Sequence, residues 1–268
     1  MTSTDLHAWA TALPVTAAVC LLLFVAAFAL GAATGRHRIV DTVWGAAFAV
    51  VAAAGFVLSD GHGDPARRVL ALTLTVVWGM RLAVHIGLRS RGKPEDPRYE
   101  SLLAKASGSR LYFAFTRVYL LQALLVWFVS LPVQMVQYGT SSPGPQTAFA
   151  CALWLFGFAF EAVGDWQLTR FRSDPAHRGM LMTGGLYRYT RHPNYFGDAC
   201  VWWGLFLLGA DQWAGLCTIA SPVVMTLLLT AGSGMRLADR HMTRTRPEYA
   251  EYARRTSGFI PLPPRKQT

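Results

Sequence analysis

The chain has 268 residues, of which 53% are hydrophobic and only 15% charged, and a formal net charge of +10; its mean hydropathy is +0.29. A soluble domain of this size carries about a quarter charged residues, and here the apolar residues fall in long blocks rather than amphipathic stripes. An ordinary soluble fold is excluded, and a polytopic membrane protein is indicated.

A membrane span needs about 20 mostly apolar residues. Windows near 12–33, 39–59, 68–88, 111–135, 147–168, 196–210 and 213–232 answer to that description. The fold class read from them is all-α, a membrane helix bundle of about seven transmembrane helices, the sixth the shortest. Residues 1–268 form one integral membrane domain. The first block lacks a basic leader and runs long enough to span, so it reads as helix 1 rather than a cleaved signal.

The basic residues orient the bundle, because cytoplasmic connections gather Lys and Arg. Arg36 and Arg38 follow helix 1; Arg89, Arg91, Lys93, Arg98, Lys105 and Arg110 follow helix 3. Arg170, Arg172, Arg178, Arg188 and Arg191 follow helix 5, and the tail is basic from Arg236 to Lys266. The alternate connections hold only Arg67 and Arg68, and Arg81 and Arg117 lie within helices. The expectation is an N-terminus outside, a C-terminus in the cytoplasm, and chemistry reached from the cytoplasmic face. The net charge needs no nucleic acid partner, since this bias and anionic membrane lipid account for it.

Ionisable residues inside spans are costly and therefore candidate functional groups. In chain order these are Asp41 at the start of helix 2, Arg81 and His85 on one face of helix 3, and Arg117 and Gln122 on helix 4. Helix 5 carries Glu161 and Asp165, with Thr169 and Arg172 continuing the stripe, and helix 6 opens with Asn194 and Asp198. Pairing of Arg81 or Arg117 with Glu161 in a structural ion network is the alternative to a shared pocket. Cys20, Cys151, Cys200 and Cys217 lack metal-ligand spacing, so no metal site is expected.

The stretch "TGGLYRYTRHPNYFGD" is the most specific. Gly184 and Gly185 permit a tight turn, and Pro193 suits the first position of a helix. A helix N-terminus beside Arg188, Arg191 and His192 makes an anion site. Tyr187, Tyr189 and Tyr195 offer faces for a flat ring. Together these parts suit a phosphate-bearing cofactor, against the alternative of a basic loop that only enforces topology.

These motifs, with "DTVWG", "RGKPEDPRY", "GDWQLTRFRSDP" and "RPEYAEYARRTSGFIPLPP", resemble the bacterial branch of the steroid 5-alpha-reductase family. The resemblance implies a seven-helix reductase of the bacterial inner membrane that binds NADPH within its bundle and acts on a lipophilic substrate. The cofactor-binding half is then about 160–264. Carried over by position, Asp165, Arg172, Asn194, Asp198 and His241 match cofactor-binding positions; Arg98, Arg191 and His192 join them on charge. Relatives that reduce steroids use a carboxylate on helix 2 and a tyrosine near helix 3. Here Asp41 is the helix-2 carboxylate, and helix 3 offers His85 in place of a tyrosine.

The expected activity is NADPH-dependent reduction of an alkene conjugated to a carbonyl, with Asp41 and His85 as the catalytic pair. The alternative is an S-adenosylmethionine-dependent membrane methyltransferase of the isoprenylcysteine or phospholipid type, which also carries an Arg-His-Pro-x-Tyr element. Those enzymes present paired glutamates on the last helix, whereas this chain reads "RLADRHM" with Arg240 after Asp239. A transporter is disfavoured by the missing internal repeat.

Overall fold

The structure is a computed structural model and describes Thr2–Gly232 and Gly234–Arg265. Among the described residues it is helical without strands; its one isolated bridge joins Thr190 to Ser257. Local chemistry sets the helix limits. Helix α1 (Ser3–Thr34) starts from a capping box in which Thr2 and Asp5 each accept from the other's backbone, and stops at Gly35 with φ 67°. Helices α2 (Ile39–Leu58) and α3 (Pro65–Ser90) follow. Asp64 caps α3 by accepting from the Arg67 amide at 3.0 Å, and Pro65 occupies a first-turn position that needs no donor. Asp96 and Pro97 start the short α4 (Pro97–Leu103) in the same way.

The fourth apolar segment is α5 (Arg110–Ala114), a π-helical stretch at Phe115–Leu120, α6 (Leu121–Val129) and α7 (Leu131–Val136). Beyond it lie α8 (Pro145–Ser173), α9 (Pro193–Leu207), α10 (Trp213–Leu216), α11 (Ala220–Thr230), α12 (Met235–Thr245) and α13 (Tyr249–Arg255).

Among the described residues, six helical segments are long and apolar enough to cross a membrane: Ser3–Thr34, Ile39–Leu58, Pro65–Ser90, Arg110–Val136, Pro145–Ser173 and Trp213–Thr245. This is a polytopic helical bundle. The sixth expected span, 196–210, is α9, which has 15 residues as that short window does but is not among the helices of spanning length. At 1.5 Å per residue it is about 22 Å long, short of the roughly 30 Å hydrocarbon core. Pro193 begins it, and the turn after Leu207 ends it.

The chain folds as two compact units, Met1–Gly144 with Leu208–Ser221, and Pro145–Leu207 with Pro222–Thr268. In the first, α2 and α3 cross where Gly45 meets Gly79: a Cβ added to Gly45 would stand 2.6 Å from the Gly79 carbonyl oxygen. Small residues let helix backbones approach this closely. The arginine at the head of α3 is locked, Arg67 giving Asp211 two hydrogen bonds of 2.8 and 2.7 Å and the Leu208 carbonyl one of 2.9 Å.

The second unit is built on α8 and α9. Gly157 and Gly164 on α8 lie seven residues apart, as do Gly197 and Gly204 on α9, so each pair lies on one helix face. A Cβ on Gly197 would fall 2.5 Å from the Glu161 nitrogen, and one on Gly204 2.9 Å from the Trp154 nitrogen. The two backbones are in contact over nearly the whole of α9. Gly197→Leu is therefore expected to destabilise the protein by about 1–3 kcal/mol through overpacking, read as a lower Tm in detergent. Gly184→Ala, where nothing lies within 4 Å, is expected to leave Tm unchanged.

Candidate functional site

In the first unit, the loop after α3 folds onto the head of α2. Glu95 accepts from the backbone nitrogens of His37 and Arg38, the latter at 3.0 Å. It thus places a carboxylate where a helix start exposes unsatisfied amides. Arg38 returns a bond to the Pro94 carbonyl. Asp96 holds the Arg98 guanidinium through Nε and Nη2, at 3.0 and 2.9 Å.

Arg98 and Tyr99 are thereby delivered to Asp41 in the first turn of α2. Arg98 donates to Asp41 at 2.8 Å, and the Tyr99 hydroxyl donates to the other carboxylate oxygen at 2.5 Å. Gln122 of α6 also hydrogen-bonds the Tyr99 hydroxyl. Burial, followed by the charge of Asp41, pushes the Tyr99 phenol well above its ordinary value. Burial opposes ionisation of Asp96, but its bonds with Arg98 outweigh that and hold it below the usual carboxylate range. Nearby, the π-helical stretch supplies Tyr119, whose hydroxyl lies 3.1 Å from His37 Nδ1.

Tyr99 was not among the residues singled out from the sequence. His85 lies on α3 and is half-buried, and Gly87, two residues on, packs against Thr42 at the start of α2. The tyrosine that meets Asp41 comes instead from α4, 58 residues along the chain. The "DPRY" spelling held a usable signal, since an Asp-Pro helix start fixes where the next two side chains begin.

In the second unit, Gly184 and Gly185 make the expected turn. Gly185 has φ 60°, and a Cβ there would meet the Gln167 side chain at 2.5 Å. Gln167 itself accepts from the Leu186 amide at 2.9 Å. The tail lies along the following residues: the Arg191 amide donates to the Ser257 carbonyl at 2.9 Å, and Thr190 Oγ1 to the Phe259 carbonyl at 2.9 Å. Tyr252 donates its hydroxyl to the Tyr187 carbonyl at 2.5 Å.

Arg191 and His192 converge on one carboxylate. Arg191 Nη2 donates to Asp239 at 2.8 Å, His192 Nε2 lies 2.7 Å from its other oxygen, and the Tyr249 hydroxyl also donates to it. Arg191 Nη1 reaches the Ala253 and Thr256 carbonyls at 3.0 Å each. His192 stacks on Tyr195 with ring centroids 5.3 Å apart. Burial works against the Arg191 charge, yet Asp239 more than compensates and raises its pKa. These two side chains clasp the tail. His241 is exposed on α12, and Arg98 belongs to the Asp41 cluster of the first unit.

The remaining candidates gather where α8 and α9 touch. Glu161 is 2% exposed, Asp165 7% and Asp198 8%, so three carboxylates are buried on one helix pair. A Cβ on Gly164 would lie 3.5 Å from the Asn194 nitrogen, and one on Gly197 2.8 Å from Glu161 Cβ; the start of α9 is therefore level with the polar stripe of α8. Tyr187 is 7% exposed and its hydroxyl has no partner among the described residues. Burial, then the nearby Asp165 charge, pushes its phenol up, and Arg172 acts in the opposite sense. Arg172 is exposed at the last turn of α8.

The apolar spans and the polar groups at their ends define a polytopic helical membrane protein. The chain belongs to the family described as protein of unknown function (DUF1295), which matches residues 27–256. An uncharacterised protein of Schizosaccharomyces pombe is 23% identical over 228 residues, covering 75% of this chain and 65% of that protein. The cobalt-zinc-cadmium resistance protein CzcN of Cupriavidus metallidurans is 37% identical over 81 residues, 30% of this chain and 35% of that protein. The chain thus spans less than two thirds of the length of either relative. No solved structure matches.

Arg191→Gln leaves Asp239 short of its cation and the Ala253 and Thr256 carbonyls short of a donor. A loss of about 1.5–3 kcal/mol is expected for bonds to a charged group. Hydrogen exchange is expected to speed up across Tyr249–Thr256 while the α8 amides keep their protection. Unchanged exchange in that segment would mean that the clasp does not hold the tail.

Proposed function

We propose that this protein is an NADPH-dependent membrane reductase of a carbon–carbon double bond conjugated to a carbonyl in a lipophilic, steroid-like or isoprenoid-like substrate. The carrying observation is the Asp41–Tyr99 pair, a helix-2 carboxylate holding a buried phenol, which matches the acid pair used by the steroid 5-alpha-reductases that the sequence resembles. Tyr99 takes the role assigned from sequence to His85.

Bound NADPH would supply the hydride that the β carbon of the alkene accepts. The electron pair of the double bond moves toward the carbonyl, and negative charge develops on its oxygen. The Tyr99 hydroxyl, turning its proton from Asp41 to that oxygen, passes it on, a general-acid contribution of about 10²–10⁴-fold. The resulting enol returns its proton to the Tyr99 phenolate and gains one from solvent at the α carbon, giving the saturated ketone. Asp41, Arg98 and Asp96 hold the phenol in place, and Arg98 compensates the Asp41 charge.

The residues of the second unit suit the cofactor's chemistry. Arg172 offers a cation for phosphate. Asp165, Asn194 and Asp198 offer acceptors and an amide for ribose hydroxyls and the nicotinamide carboxamide, and the unpartnered Tyr187 hydroxyl offers one further contact. Arg191 and His192 act by keeping the tail in place. The methyltransferase reading is disfavoured because Asp239, the acid of the last helix, is already paired with Arg191 and hydrogen-bonded by His192 and Tyr249 and does not offer a free charge to a sulfonium. The proposed setting is the bacterial inner membrane, with the cofactor drawn from the cytoplasm and the substrate from the lipid.

The test is NADPH oxidation at 340 nm by the detergent-purified protein over a panel of lipophilic enones. On an accepted substrate, Tyr99→Phe and Asp41→Asn are each expected to lower kcat by about 10²–10⁴-fold, and His85→Gln far less. Full turnover in both of the first two variants would refute the mechanism.

A further inference from the structure

Helix α12 presents two chemically different faces. Asp239 is turned inward and fixed by Arg191, His192 and Tyr249, and Met235, Ala238 and Met242 beside it are half-buried. Arg236, Arg240 and Arg244 follow one another at four-residue intervals, which puts them on a common face, and all three are exposed. Leu237 lies beside them, 42% exposed. Since Asp239 is the one acid of α12 and is already paired, the outward face is positive.

The position of this face along the chain gives it meaning. The apolar part of the last candidate span is α10 and α11, which run from Trp213 to Thr230, about 27 Å at 1.5 Å per residue against a hydrocarbon core of about 30 Å. The polar α12 follows that span directly in the chain, so a span ending near Thr230 brings α12 to the headgroup region. A cavity of about 290 Å³ opens at the junction, lined by Ala231, Gly232, Arg236, Leu237 and Arg240. Val223 and Leu227 on α11, four residues apart and 40% and 54% exposed, run along the helix toward it. A cationic cavity at the end of an exposed apolar ridge is complementary to a molecule with an anionic head and an apolar tail.

We propose that this junction binds an anionic phospholipid, its phosphodiester between Arg236 and Arg240 and its acyl chains against Val223 and Leu227. The site is distinct from the cluster where α8 meets α9 and does not depend on the reductase reading. The apolar ridge selects a lipid over free phosphate, and the paired arginines select an anionic headgroup over a zwitterionic one. The occupied junction joins the last apolar helix to the clasped tail.

The test is native mass spectrometry of the full-length protein titrated with phosphatidylglycerol or phosphatidylcholine. The expected result is preferential retention of phosphatidylglycerol. Arg236→Gln with Arg240→Gln is expected to weaken that binding about 30-fold, the equivalent of about 1 kcal/mol for each arginine near an anionic headgroup. Arg89→Gln with Arg91→Gln, which removes two exposed arginines at the end of α3, is expected to leave it unchanged. Equal losses in the two double variants, or no lipid preference in the native protein, would overturn the site. Displacement of the lipid by equimolar glycerol phosphate would overturn the commitment to a lipid. A photoactivatable phosphatidylglycerol should cross-link the native protein within residues 223–240; labelling confined to other segments would also overturn the proposal, whatever the stability of the variants.

Discussion

A carboxylate removed from water must find a cation or donors close by, because the surrounding helices offer no solvent to replace them. Each unit of this protein meets that constraint with the same kit. Asp239 is held by Arg191, His192 and Tyr249, and Asp41 by Arg98 and Tyr99. In both cases an arginine and a tyrosine from a remote loop or tail close on an aspartate in a helix. The ion pairs do more than neutralise charge: they tell long connections where to lie. The loop after α3 is fixed to the head of α2, and the tail is fixed to the turn that precedes α9.

The two clusters differ in what they leave over. Around Asp239 both terminal nitrogens of the arginine are engaged, one by the carboxylate and the other by two backbone carbonyls, which makes the cluster a fastening. Around Asp41 the Tyr99 hydroxyl is held by a carboxylate from another helix, and burial raises its pKa. The glycine-spaced contact of α8 with α9 supplies the third ingredient. It brings two backbones close enough for Asp165, Asn194 and Asp198 to share one level, and it compensates for the shortness of α9 with packing along its whole length.

Much of the architecture was legible because hydrophobic length and helix punctuation act locally. Pro193 begins α9, Gly185 makes the turn before it, and six of the apolar windows became helices of spanning length. The shortness of α9 was visible in the sequence, but its limits fell three residues earlier than the apolar window, because Pro193 starts the helix and apolar residues continue past Leu207 into a turn. The partner of Asp41 was hidden by distance along the chain: His85 lies on the neighbouring span, but Tyr99 is the residue that a loop folds back. Asp239 was read through its neighbour Arg240, although its charge is answered by Arg191 and His192, 48 and 47 residues earlier. The stretch "TRHPNYFGD" accordingly has two tasks: its first half fastens the tail, and its second half carries the polar start of α9.

The most direct measurement of the central claim is cofactor binding by thermal shift, with NADPH and S-adenosylmethionine compared on the detergent-purified protein. A ligand at 100 times its Kd stabilises the native state by about 2.7 kcal/mol, enough to move Tm. The account predicts a rise with NADPH that is lost in Arg172→Ala and Asn194→Ala, and no rise with S-adenosylmethionine. Stabilisation by S-adenosylmethionine alone would contradict it.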